Sequence, residues 1–329
     1  MTSLDFQSLL KQEKALQRVQ LAQSTRTTAV QQEEEPGPTS SSSSRLSARR
    51  RDEESKVVGT KEPSPLLVKL AGRPSLDMEK MRVGNTPSIF YVPDFISGAD
   101  EQQLLERIHA QASSNEWVTL RSRRLKCWGG QPGESFRPEP LPPWVDALCE
   151  SLVVRGVFSE ETRPNHVLLN EYQPGQGIMA HTDGPFYEPR TATLSLGSDA
   201  VMHFSPRIET SRIGRPGVET RPQASLVLRA LSLVVFADDA YSRLLHSIDA
   251  VREETVGCGG SSGDVGKRGG GGVGGGAPVI NGAAAGAPEG TILRRKLRVS
   301  LTFRRVRAAD RGEETGGSGP EKNPAELLV

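Results

Sequence analysis

Apolar residues along this chain switch between helical and strand spacing, and each switch marks a different kind of element. Near the start, Leu9, Leu10, Leu16, Val19 and Leu21 gather on one helical face. Residues 1–23 therefore hold a possible short amphipathic helix. From Ser88 the segment "SIFYVPDFI" reads as a strand. Ser97 followed by Asp100 resembles a capping box, after which Leu104, Leu105, Ile108 and Ala112 share a face. "LPPWVDALCESLV" opens on prolines suited to a first helical turn and aligns Trp144, Leu148 and Leu152. From 165 onward the period becomes two, in "HVLLNEY", "GIMAHTD", "TATLSLG", "AVMHFS", "ASLVLRA", "LSLVVFA" and "LRVSLTFRRV". One or two helices followed by about eight short strands predicts an α+β domain. Its expected form is a double-stranded β-helix (jelly-roll) barrel with N-terminal helices packed on it.

Composition narrows the folded part. Residues 24–84 are rich in Ser, Thr, Glu, Arg, Gln and Pro, which predicts a disordered linker. Residues 257–290 are mostly Gly and Ala and read as a flexible insertion; 309–329 read as a disordered tail. The remainder, 85–308, is the expected domain. Cys127, Cys149 and Cys258 are scattered and odd in number, against a disulfide framework or structural zinc site. There is no apolar signal core and no run long enough to span a bilayer, so cytoplasm or nucleus is expected. The net formal charge is +1. Positive residues concentrate at Arg121, Arg123, Arg124 and Lys126, and again from Arg294 to Arg307, which permits a polyanionic partner.

The candidate chemistry lies where strands carry polar residues. In "NEYQPGQGIMAHTDGP", Asn170 and Tyr172 stand two apart, as do His181 and Asp183, so each pair shares a face. An imidazole and a carboxylate at this spacing can take adjacent positions on a divalent metal. His246 in "YSRLLHSI" is the candidate third ligand. Two His and one acid suit non-heme Fe(II), with zinc as the competitor. In "RVSLTFR", Arg298, Ser300, Thr302 and Arg304 share one face; Val299, Leu301 and Phe303 take the other. Two inward guanidiniums are costly unless an anion meets them. They lie six residues apart, roughly 20 Å in extended chain, so they serve different partners.

Taken in order, "NEYQPGQGIMAHTDGP", "TLSLGS", "YSRLLHSI" and "RVSLTFRRV" resemble the AlkB family of Fe(II)- and 2-oxoglutarate-dependent dioxygenases. The phrases "YVPDFIS", "LKCWGG", "LPPWV" and "NHVLLNEY" resemble one eukaryotic branch of it, the sixth AlkB homologues. The resemblance covers about 88–256 and 291–307. It implies that His181, Asp183 and His246 bind Fe(II), and that Asn170 and Tyr172 contact 2-oxoglutarate. Arg298 would pair with the distal carboxylate, Ser300 would line the same site, and Arg304 would sit near the metal. The implied reaction consumes O2 and oxidises a carbon–hydrogen bond, usually of an N-methyl group on a nucleobase in RNA or DNA. The Gly-rich stretch is longer than the family's usual connection and is expected to leave the barrel as a surface excursion.

Other readings stand beside this one. The same core could act on a protein side chain, or the fold could persist in a non-catalytic binding protein. The segment "RSRRLKCWGG" admits a substrate lip, with cations for phosphates and Trp128 for stacking on a base. It equally admits a tryptophan packed on the barrel among solvated arginines.

Overall fold

The computed structural model describes Lys11 and residues 72–85, 88–110, 117–133, 135–207, 222–257 and 277–307. The helix expected over 1–23, nearly all of the linker and the tail over 309–329 lie outside the described residues. Strands β1 (Ile89–Val92), β2 (Val118–Thr119), β3 (Arg124–Trp128), β4 (His166–Tyr172), β5 (Ile178–His181), β6 (Tyr187–Leu196) and β7 (Ala200–Pro206) come first. They are followed by β8 (Ala224–Leu228), β9 (Leu233–Ala237), β10 (Leu244–Ile248), β11 (Glu253–Thr255), β12 (Ile292–Arg294) and β13 (Arg298–Val306). The helices are α1 (Gly98–Ala110), α2 (Pro143–Val154) and α3 (Asp238–Arg243).

The strands form a seven-stranded sheet, in the order β1-β9-β6-β13-β4-β3-β2, and a four-stranded sheet, β5-β10-β7-β8. Every strand pair in the two sheets is antiparallel. The inner faces pack together in one apolar cluster that includes Leu168, Met202, Phe204, Val234 and Phe236. Phe204 and Phe236 meet edge to face across the sheets, ring centres 5.6 Å apart. The result is the expected jelly roll on an α+β plan, with the two sheets open at the sides.

Strand alternation explains why both faces of the large sheet are buried. Val299, Leu301 and Phe303 of β13, with Val167 and Leu169 of β4, face outward and pack under Leu104 and Ile108 of α1 and Trp144, Leu148 and Leu152 of α2. The intervening residues of β13 and β4 turn their polar side chains inward. Helix α1 starts where expected: the Ser97 N–H donates to Asp100 Oδ2 (2.9 Å) and the Asp100 N–H to Ser97 Oγ (3.3 Å).

Two expected boundaries are corrected. The linker placed over 24–84 ends sooner, since residues 72–85 belong to the folded domain. Arg73 pairs with Asp100 and donates to the Phe95 carbonyl, and the Leu76 N–H reaches the Arg155 carbonyl at 2.9 Å. The insertion placed over 257–290 is packed from 277. There the chain runs beside β8: the Ser225 N–H donates to the Pro278 carbonyl and the Ile280 N–H to the Ser225 carbonyl, each at 2.9 Å. Asn281, 2 % exposed, accepts the Val227 N–H and donates to the Val227 carbonyl, both at 2.8 Å. Asn281→Ala strips both bonds from buried backbone and should cost about 2–4 kcal/mol. Urea denaturation checks this, and an unchanged midpoint would refute it.

Candidate active site

The turn after β4 decides how the polar residues meet. Gly175 adopts φ +90° at its bend. Gly177 runs so close to β10 that a Cβ there would lie 2.2 Å from the Ile248 carbonyl oxygen. That approach lets β5 pair with β10, which places His181 directly opposite His246. The segment "LLHSI" is a strand, β10, preceded by the helix α3. Asp183 lies two residues past the end of β5. The ligand atoms of His181, Asp183 and His246 all lie within 4.8 Å of one another, and all three residues are buried. The imidazole centres of His181 and His246 are 4.3 Å apart, and His246 Nε2 is 3.9 Å from Asp183 Oδ1.

Their surroundings leave them ready to bind a cation. His181 Nδ1 faces the Met179 carbonyl at 2.8 Å, so it carries the proton and Nε2 keeps its lone pair. Burial, with His246 alongside, pushes the His181 imidazole down to about 3, and burial also lowers His246. Both rings are therefore neutral near pH 7. Burial alone would raise the Asp183 carboxyl. Arg304, the two imidazoles and Thr191 outweigh it and hold the group below the ordinary carboxylate range. Arg304 Nη1 donates to Asp183 Oδ1 at 3.0 Å, and Thr191 Oγ1 donates to Oδ2 at 2.6 Å. The Arg304 guanidinium also covers the Tyr187 ring, 4.3 Å from its centre.

The other end of the same cavity is cationic. Asn170, Tyr172, Arg298, Ser300 and Thr302 line it together with the three ligand candidates. In the β4–β13 register Arg298 stands opposite Tyr172 and Ser300 opposite Asn170. Arg298 is 2 % exposed and donates from Nη2 to Ser195 Oγ at 3.0 Å. Its Nε is buried with no hydrogen-bond partner among the described residues. Burial lowers the group to about 10, which leaves it charged at neutral pH. A buried guanidinium with an unmet donor, aimed into a cavity, fits a carboxylate ligand. The donor set of two neutral imidazoles and one carboxylate fits a divalent metal with open coordination positions.

All eight residues singled out in the sequence are thus brought to one cavity or its wall. Others join the site without a role assigned to them from the strand pattern. Thr191, Thr193 and Ser195 form a period-two polar row on β6 that "TATLSLG" displays. Tyr187 lies under Arg304, and the Tyr241 hydroxyl donates to the Gly184 carbonyl at 2.8 Å. Arg123 is fully buried, its Nε donating to Asn170 Oδ1 at 3.1 Å.

Three further residues of that basic segment make packing or ion-pair contacts. Trp128 meets Trp144 edge to face at 5.4 Å, Lys126 lies over the Trp128 ring, and Arg124 is tied to Glu171 by two bonds of 2.6 and 2.8 Å. Trp128 is thus half-buried against Trp144, and Arg123 turns inward instead of lying solvated.

Burial of His166 yields a pH prediction. It is 2 % exposed on β4 and neither ring nitrogen has a hydrogen-bond partner among the described residues. Burial, with Arg304 nearby, lowers it to about 3 from an ordinary 6.5. Below pH 6.5 the unfolded chain takes up a proton that the folded chain refuses. Stability should then fall toward acid by about 1.4 kcal/mol per pH unit from this residue, levelling near pH 3. Denaturation of wild type and His166→Phe between pH 7 and 4 checks it; parallel pH profiles would contradict it.

Comparisons with known proteins agree with the geometry. Residues 89–304 match the 2OG-Fe(II) oxygenase superfamily. Over 234 residues the chain is 36 % identical to "Probable RNA/DNA demethylase ALKBH6" of Danio rerio, covering 70 % of this chain and 91 % of that one. It is 26 % identical over 232 residues to "tRNA (carboxymethyluridine(34)-5-O)-methyltransferase alkbh8" of Xenopus tropicalis, spanning 67 % of this chain and 32 % of that protein. "RNA demethylase ALKBH5" of Bos taurus is 27 % identical over 111 residues, 33 % of this chain and 27 % of that one. The solved structure of OsALKBH1 aligns over 68 % of this chain and all of its own, with 13 % identity and a TM-score of 0.42. Among the described residues, no helix is long and apolar enough to cross a membrane. The chain belongs to the 2OG-Fe(II) oxygenase superfamily, in its AlkB family of dioxygenases, whose reaction requires Fe(II), 2-oxoglutarate and O2.

Proposed function

We propose that this dioxygenase removes a methyl group oxidatively from a nucleobase of RNA or DNA. His181, Asp183 and His246 hold Fe(II). Arg298 grips the distal carboxylate of 2-oxoglutarate, with Tyr172 beside it, while Asn170 and Ser300 line the cosubstrate's flank. Arg304 fixes the Asp183 carboxylate in its ionised form and orients it through the bond to Oδ1. Fe(II), O2 and 2-oxoglutarate together supply the oxidising power, the cosubstrate leaving as succinate and carbon dioxide. The methyl carbon gains one oxygen atom and departs as formaldehyde. The chain's own part is to bind, orient and shield: the sheet walls exclude bulk water from the reacting groups.

The observation that carries this reading is a single cavity bounded at one end by the His-Asp-His cluster and at the other by the buried Arg298. The relatives named as RNA or DNA demethylases support the choice of substrate. The test is incubation of the anaerobically purified chain with Fe(II), 2-oxoglutarate, O2 and a panel of methylated RNA and DNA oligonucleotides. The expected result is formaldehyde release and base-selective loss of methyl groups. Turnover on peptides alone would move the reading to a protein side chain. No oxidation with any substrate would overturn it.

A further inference from the structure

We propose that Arg123 is a positioning residue: it fixes which end of the Asn170 carboxamide faces 2-oxoglutarate and so sets cosubstrate affinity. This rests on the reading of the cavity given above. The nitrogen and oxygen of a carboxamide are alike in shape, and only their hydrogen-bond partners decide which way the group points. A guanidinium donates and never accepts, so the amide end it meets must be the oxygen. Arg123 Nε donates to Asn170 Oδ1 at 3.1 Å. The Asn170 Nδ2 is thereby directed away, and among the described residues it has no protein acceptor. Asn170 lines the cavity beside Ser300 and Arg298. The groups 2-oxoglutarate would present there are carboxylate and carbonyl oxygens, all acceptors. An N–H facing them attracts; the flipped amide would set oxygen against oxygen.

The placement of Arg123 is itself secured. It closes a tight turn between β2 and β3, where the Leu120 N–H donates to the Arg123 carbonyl at 2.8 Å. The Gln176 side chain donates to the Arg121 carbonyl at 3.0 Å, fastening this turn to the one between β4 and β5. Arg123 is 0 % exposed although its neighbour Arg121 is exposed, so the hairpin delivers one arginine inward and leaves the other in solvent.

The test titrates 2-oxoglutarate by calorimetry into the full chain loaded with Mn(II) under anaerobic conditions, alongside thermal melting. Arg123→Met should weaken binding about tenfold. In an Asn170→Ala background the same substitution should weaken it less than about twofold, because Arg123 acts through Asn170. Asn170→Asp keeps the acceptor for Arg123 but loses the inward donor. It should bind as weakly as Asn170→Ala while melting no lower than wild type, which a merely structural role would not produce. If Arg123→Met fails to fold, Arg123→Lys in both backgrounds carries the same comparison.

Equal losses in the two backgrounds, or no loss in either, would overturn the proposal. Arg298→Ala separates the two levels: if it abolishes binding while Arg123→Met has no effect, only the role of Arg123 falls. If Arg298→Ala binds like wild type, the cavity reading itself fails.

Discussion

Arg298→Leu should abolish 2-oxoglutarate binding and yet leave the metal-free protein as stable as wild type, or more so. The two effects come from the same fact. Arg298 is buried, its Nε is unmet among the described residues, and burial already depresses its basicity. An isolated interior charge is a cost to the fold, and an apolar side chain of similar length relieves it. On the proposed reading the cosubstrate's carboxylate would offset that cost, through charge-assisted bonds in a buried site. Removing the cation should therefore weaken binding by about 100-fold or more. Calorimetry with 2-oxoglutarate and urea denaturation of the apo-protein check the two halves. A variant that binds normally would show the anion site lies elsewhere. One that is strongly destabilised would show that Arg298 is a structural bond and not a poised donor.

His246→Ala is the second large effect. It removes one of three ligand candidates and the one that comes from a distant strand, so metal affinity should fall by at least about 100-fold. Cosubstrate turnover should drop to the level of the metal-free protein, with added Fe(II) giving no recovery. The imidazole also stacks among Phe236 at 4.9 Å and His181 at 4.3 Å, so a small cavity will form. His246→Gln fills much of that space and should share the loss of metal binding. Anaerobic Fe(II) titration of both variants decides the matter. Retained affinity would mean that the register between β5 and β10 brings the histidines together for packing alone.

Much of this site is legible in the sequence, because strand geometry acts locally. Residues two apart in a strand must share a face, and that rule assembles Asn170 with Tyr172, and Arg298 with Ser300 and Arg304; His181 and Asp183 also meet, although Asp183 lies past the end of β5. What escaped was held by distant partners. Arg123 sits in a turn, where period two no longer says which side chain points inward. Thr191 looked like an ordinary strand hydroxyl until its carboxylate partner was in view. Residues 72–85 carry no strong periodic signal; Asp100 and the Phe95 and Arg155 carbonyls hold them. Composition misled most over 277–290, where glycine and alanine concealed one decisive amide, Asn281.

That last segment has a consequence for how copies of this protein behave toward one another. Strand β8 ends its sheet, and a bare rim of that kind invites a strand from a second molecule. Residues 278–281 occupy part of that rim, through the Pro278 carbonyl, the Ile280 N–H and the Asn281 side chain. Cutting residues 278–281 away would leave the backbone of β8 open to a second chain, and aggregation is the expected first sign.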